Sequence, residues 1–146
     1  MYVSRYIQFV NFPAIPDSLT ADLCRDFGRY TAKAEYGDYV WSDSFNQDIN
    51  TWCKKHVCQD MYWGFQIMKG DIPKHKDIGT LIKLSYVLDT GGDEVHTKFW
   101  SDDGVTLLND YVIPLGRWHI FKADVVHSIE DIIPGSVRFS VTGRIF

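Results

Sequence analysis

From residue 61 onward the chain is cut into short runs rich in β-branched and aromatic residues: MYWGFQIM, TLIKLSYVL, HTKFW, VTLLNDYVI, RWHIFKA, VVHSI and SVRFSVTGRIF. Turn residues stand between them at Gly70-Asp71, Gly91-Gly92, Asp103-Gly104 and Pro134-Gly135, where Gly, Pro and Asp suit tight chain reversals. Many short strands at turn-punctuated intervals point to a double-sheet sandwich or jelly roll.

The first 60 residues read differently. YVSRYIQFV suggests an opening strand. After Pro16, DSLTADLCRDFGRYTAKAEY places Leu19, Leu23, Phe27, Tyr30 and Ala34 at helical spacing, with Asp17 or Ser18 as its cap. SFNQDINTWCKKHVC predicts a second helix, capped from Ser42 to Ser44 and carrying Phe45, Ile49, Trp52 and Cys53 as its apolar stripe. His56 suits the C-terminal end of that helix, where a cation complements the dipole. Helices followed by strands give an α+β chain: a jelly-roll (double-stranded β-helix) core over 61–146, with a strand and helices from 1–60 packed on one sheet. No repeat or linker divides the sequence, so 1–146 reads as a single domain, long enough to bury a sizeable core.

Composition excludes several functions. A net charge of −4 and a pI near 5.6 disfavour a nucleic-acid stripe or an anionic membrane surface as partner. No apolar run approaches the roughly 18 residues of a membrane span, and MYVSRYIQFVNF is too polar and too regularly alternating for a signal peptide. Cys24, Cys53 and Cys58 form an odd set without a Cys-x-x-Cys, which reads as reduced structural thiols in a cytoplasmic protein.

Within FQIMKGDIPKHKDIGTLIKLSYVLD, His75 and Asp77 stand two residues apart between two strand-like runs. All of the 19 acidic residues except Glu35, Glu94 and Glu130 are Asp, so composition alone readily produces a His-x-Asp, and a surface loop pair is the ordinary reading. The segment FKADVVHSIEDIIPGSVRFSVTGRIF changes the balance, because it carries His127 and then, eleven residues later, Arg138. Two His and one carboxylate can hold one face of an octahedral Fe(II) and leave three positions open. His75 and Asp77 share a side where the chain is extended, and the third ligand must come from another strand. If SVRFSV is a strand, Val137, Phe139 and Val141 line one face and Arg138, Ser140 and Thr142 the other. A guanidinium fixed on that polar row suits bidentate recognition of a carboxylate. His96 follows Asp93-Glu94 but lacks a second ligand at metal spacing; His119, alternating with Trp118 and Phe121 near a turn, reads as core or cleft-edge packing.

The ordered set His75-Lys76-Asp77, His127, Arg138 and Ser140 resembles the signature of the iron(II)- and 2-oxoglutarate-dependent oxygenases, especially their compact prolyl-hydroxylase-like branch. The framing is similar too: MKGDIPKHKD before the first His, SYVLDTGGDEVHTKFW, and PLGRWHIFKADVVHSIEDIIPGSVRFSV. The similarity covers about residues 62–146. It implies Fe(II) on His75, Asp77 and His127, 2-oxoglutarate held at its far carboxylate by Arg138 and Ser140, and O2 as oxidant. It further implies hydroxylation of a peptide, amino-acid side chain or small molecule, with succinate and CO2 as co-products. The chain departs from the pattern at the loosely spaced TGGDEVHTKFW turn and at Asp89, where Asn is common. It offers no assignable second co-substrate contact on Tyr62–Phe65 or Lys83–Tyr86, no mapped motif before residue 60, and few loops to cover the site. A cupin-type metalloenzyme would show His-x-His with a nearby Glu, and a halogenase would lack Asp77. A non-catalytic jelly-roll binding or structural module would account for the aromatics but not for the ordered polar set.

Overall fold

Alternation decides the layers. The computed structural model describes residues 6–25, 34–36 and 39–145, with the backbone alone for 34–36 and 39–44. In strand β4 (Tyr62–Met68), Trp63, Phe65 and Ile67 are buried on one face. They oppose Gly143, Val141 and Phe139 of β11 (Arg138–Arg144) in antiparallel register. Onto this apolar face pack Leu23 of α1 (Asp17–Arg25) and Ile49 and Cys53 of α2 (Gln47–His56). The other face of the same sheet looks toward a second sheet.

The remaining strands are β1 (Ile7–Phe9), β2 (Ala34–Tyr36), β3 (Tyr39–Ser44), β5 (Ile72–His75), β6 (Ile82–Thr90), β7 (His96–Trp100), β8 (Leu107–Val112), β9 (His119–Lys122) and β10 (His127–Glu130). They form a seven-stranded sheet in the order β1-β9-β6-β11-β4-β3-β2 and a four-stranded sheet in the order β5-β10-β7-β8. From β4 onward the chain passes repeatedly from one sheet to the other, which is the double-stranded β-helix expected from the strand spacing. Between the sheets lie Ile7, Val87, Phe99, Phe121 and Ala123, with Tyr6 stacked on Phe99 at 5.0 Å. Ile72, Val95, Ile129 and Ile132 form a further cluster with Met68.

Gly143 is where sheet and indole meet. A Cβ there would stand 2.6–2.8 Å from three ring carbons of Trp63, which is fully buried and donates its Nε1–H to the Cys58 carbonyl at 2.9 Å. Only a residue without a side chain fits that approach.

Several local expectations need correction. The first helix is described over Asp17–Arg25, and Ala34 belongs to β2, so the helical spacing does not extend through Ala34; Phe27 and Tyr30 lie outside the described residues. Ser42 to Ser44 do not cap the second helix, because β3 pairs them with Ile67, Gln66 and Phe65 of β4. The cap is Asn46, whose Oδ1 accepts from the Ile49 N–H at 3.0 Å. Phe45 precedes the helix and is exposed, while Ile49 and Cys53 are buried as expected. Burial pushes the Cys53 thiol up to about 12, whereas Cys24 is exposed; no disulfide joins the three cysteines. Among the described residues no helix is long and apolar enough to cross a membrane.

Candidate metal centre

The site begins on an edge strand. β5 reads Ile-Pro-Lys-His and among the described residues pairs only with β10; Pro73, which cannot donate to a ladder, is tolerated at such an edge. His75 is its last residue and faces His127, the first residue of β10, across the antiparallel ladder. The two ring centroids lie 4.3 Å apart. Asp77 follows in the turn, fixed by its N–H donating to the Ala123 carbonyl at 3.0 Å.

Both imidazoles are pinned by backbone carbonyls. Nδ1 of His75 bonds Pro73 O at 2.7 Å, and Nδ1 of His127 bonds Val125 O at 2.7 Å. A carbonyl oxygen can only accept, so each Nδ1 carries the proton and each neutral ring presents a lone pair at Nε2. Those lone pairs aim at one carboxylate oxygen: Asp77 Oδ1 lies 3.3 Å from His75 Nε2 and 3.7 Å from His127 Nε2. One ligand atom from each of the three residues falls within 4.8 Å of the others. Three acceptors converging on one point repel unless a proton or a metal cation stands among them, and imidazoles oriented by backbone carbonyls are usual at a metal site. Neighbouring ligands about 2.1 Å from an octahedral ion stand about 3 Å apart, so small side-chain rotations close the set. The residues therefore fit a metal ion.

The electrostatics follow the same geometry. Burial lowers the pKa of His127, 3% exposed, to about 4, with the charge of His75 adding to it. A second proton on His75, at Nε2, would be donated to Asp77, and that bond raises the His75 pKa against partial burial. Burial alone would raise the Asp77 carboxyl, but the bond from protonated His75 and the Lys83 ammonium overcome it and hold the carboxyl well below the usual range.

Lys83 is the residue that sequence reasoning missed. It lies on β6, and its Nζ sits against Asp77 Oδ2 as a close ion pair. Alternation along IKLSYV offered the signal: Leu84 and Tyr86 pack toward the helices and Val87 between the sheets, which puts Lys83 and Ser85 on the inter-sheet row.

Arg138 and Ser140 are both buried on the inter-sheet face of β11, opposite Met68 and Gln66. Arg138 is 5% exposed, and among the described residues its guanidinium makes one hydrogen bond, Nη1 to Thr90 O at 3.3 Å, and no ion pair. Burial lowers its pKa to about 10, partly offset by Asp89. Gly91, with φ +80°, lets the β6 turn come close: a Cβ there would lie 3.1 Å from Arg138 N. Further polar atoms in this layer, Thr142 Oγ1 and Thr97 Oγ1, are buried without hydrogen-bond partners among the described residues. His119 is buried beside Phe9. His96 lies apart from the triad, with Asp110 at 2.7 Å on one ring nitrogen and Glu94 at 3.7 Å on the other.

Solved structures of other proteins share this architecture. A prolyl hydroxylase from Trichoplax adhaerens, in complex with a hypoxia-inducible-factor oxygen-degradation-domain peptide, superposes with TM-score 0.60 at 8% identity, over 98% of this chain and 84% of its own. A Pseudomonas putida prolyl-4-hydroxylase matches at TM-score 0.55 and 16% identity, over 92% of this chain and 90% of its own. The non-heme alpha-ketoglutarate-dependent epimerase SnoN from nogalamycin biosynthesis matches at 0.58 and 13%, over 96% and 78%. Against the longer EvdMO1 the chain spans only 47% of the neighbour. No protein-family description and no curated protein sequence matches the chain. At these identities the likeness establishes the fold.

Proposed function

We propose that this protein is an iron(II)- and 2-oxoglutarate-dependent oxygenase that hydroxylates a peptide or amino-acid side chain. The observation that carries the reading is the convergence of two carbonyl-pinned imidazoles on one oxygen of Asp77. His75, Asp77 and His127 would hold the ion. When bound, iron(II) would supply the dioxygen activation that couples conversion of 2-oxoglutarate to succinate and CO2 with placing one oxygen atom on the substrate. Arg138 supports the co-substrate assignment, because a buried guanidinium with one hydrogen bond among the described residues has donors left for a carboxylate. Ser140, two residues on along the same face, would add a hydroxyl to that anchor. The substrate would approach from the side of His75, the more exposed imidazole, where Ile78 and Leu81 offer an exposed apolar rim. The resemblance of the motifs around His75, His127 and Arg138 to the prolyl-hydroxylase-like branch is what supports a peptide or amino-acid substrate.

Anaerobic titration of Fe(II), with circular dichroism as the folding control, tests the assignment. The wild type binds one ion per chain, and His75→Ala, Asp77→Ala and His127→Ala each lose it while staying folded, since each removes one of three protein ligands. The loaded wild type then releases succinate from 2-oxoglutarate only when oxygen is admitted. Full iron affinity in His127→Ala, or succinate release that survives loss of the ion, would sink the proposal.

A further inference from the structure

The two oxygens of Asp77 face different partners. Oδ1 is turned to both imidazoles, at 3.3 and 3.7 Å, while Oδ2 is held by the ammonium of Lys83. Lys83 reaches it from β6, so the ion pair links the seven-stranded sheet to the end of β5 in the four-stranded one. This is not a surface contact, because the Lys83 side chain is 12% exposed and its strand neighbours in register are Phe121 and Arg144. A lysine so enclosed requires a carboxylate, and Asp77 supplies it. Together with the Asp77 N–H on Ala123 O, the ion pair fixes both the backbone and the rotation of the carboxylate.

We propose that Lys83 is a positioning residue that keeps Asp77 a one-oxygen ligand. This rests on the metal-site reading above. A six-coordinate ion held by two imidazoles and one oxygen has three open positions; a carboxylate free to turn both oxygens to the ion would take one more. A co-substrate that chelates through two oxygens needs the open positions, so Lys83 trades affinity for the bare ion against room for the chelate. The trade has a second part, because an ammonium beside a dication also opposes its binding.

Removing Lys83 therefore moves two binding constants in opposite directions, which loss of a merely structural contact would not do. The test uses Mn(II) as probe, with wild type, Lys83→Met and Lys83→Arg, each checked by thermal melting. Lys83→Met should bind Mn(II) about tenfold more tightly, the size of the repulsion left between a dication and an ammonium about 5 Å apart even under full water screening. Water-proton relaxation by the bound Mn(II) should fall, because one fewer exchangeable water remains. 2-Oxoglutarate should bind the Mn(II)-loaded Lys83→Met several-fold more weakly, and Lys83→Arg should stay close to wild type in all three measurements. Weaker Mn(II) binding in Lys83→Met, or unchanged relaxation, would overturn the role of Lys83 while leaving the metal centre in place. Failure of the wild type to bind Mn(II) would overturn both.

Discussion

Acid should destabilise this protein through His119, by an amount that the burial of the ring determines. The side chain is 3% exposed; its Nδ1–H donates to the Arg117 carbonyl at 3.2 Å, and the Arg138 charge acts on it. Burial first, and then Arg138, lower its pKa from 6.5 to about 4 despite that hydrogen bond. The sign follows from linkage: between the two values the unfolded chain binds a proton that the folded chain refuses, so stability rises with pH. The contribution is fully present above the unfolded pKa and is lost as pH falls from 6.5 toward 4. At pH 5 the loss is about 2 kcal/mol, a sizeable share of the 5–15 kcal/mol typical of a folded domain. Urea unfolding near pH 7 and near pH 5, on wild type and His119→Asn, isolates the term. Asn can still donate to Arg117 O but does not titrate, and the similarly depressed His127 is common to both proteins. Wild type should lose about 2 kcal/mol more than the variant between the two conditions. Equal losses would mean that the native fold admits a proton at His119, and the reasoning from burial would be wrong.

Arg138→Ala should weaken 2-oxoglutarate binding to anaerobic iron-loaded protein roughly thirty-fold or more, from the 2–5 kcal/mol that an unpaired buried charge costs, with iron binding spared. Arg138→Lys keeps the charge but loses the planar fork and should fall between; calorimetry showing unchanged affinity in Arg138→Ala would make the residue structural. Gly143→Ala drives a methyl group into the Trp63 ring and should cost about 1–3 kcal/mol in urea unfolding; a neutral result would show that the indole can move aside.

What was legible in the sequence is what period and order encode. The two faces of β11, the strand-rich second half, and the positions of His75, Asp77 and His127 are all local patterns. β5 was hidden because four residues containing a proline, with only Ile72 buried, show no alternation, and its partner β10 is about 50 residues away. The serines before the second helix were good caps in isolation; pairing with β4 drew them into β3 and left the task to Asn46. Ala34 was lost the same way, to pairing with Trp41 of β3. Lys83 was visible only as a polar residue on an apolar strand. Its partner Asp77 is six residues back but on the far side of a turn between two sheets, a proximity that no helical or strand period produces.

The division of the proposed site between two layers has a mechanical consequence. His75 and His127 belong to the four-stranded sheet, with Asp77 in the turn after β5, while Arg138 and Ser140 belong to the seven-stranded one. A molecule gripped at one end by the ion and at the other by the guanidinium must span the gap between layers. That gap is set by the apolar filling, Val87, Phe99 and Phe121 among it. In the proposed reading those side chains form a caliper: they select the length of diacid the protein accepts without touching it, and closely packed interiors adjust only in small steps.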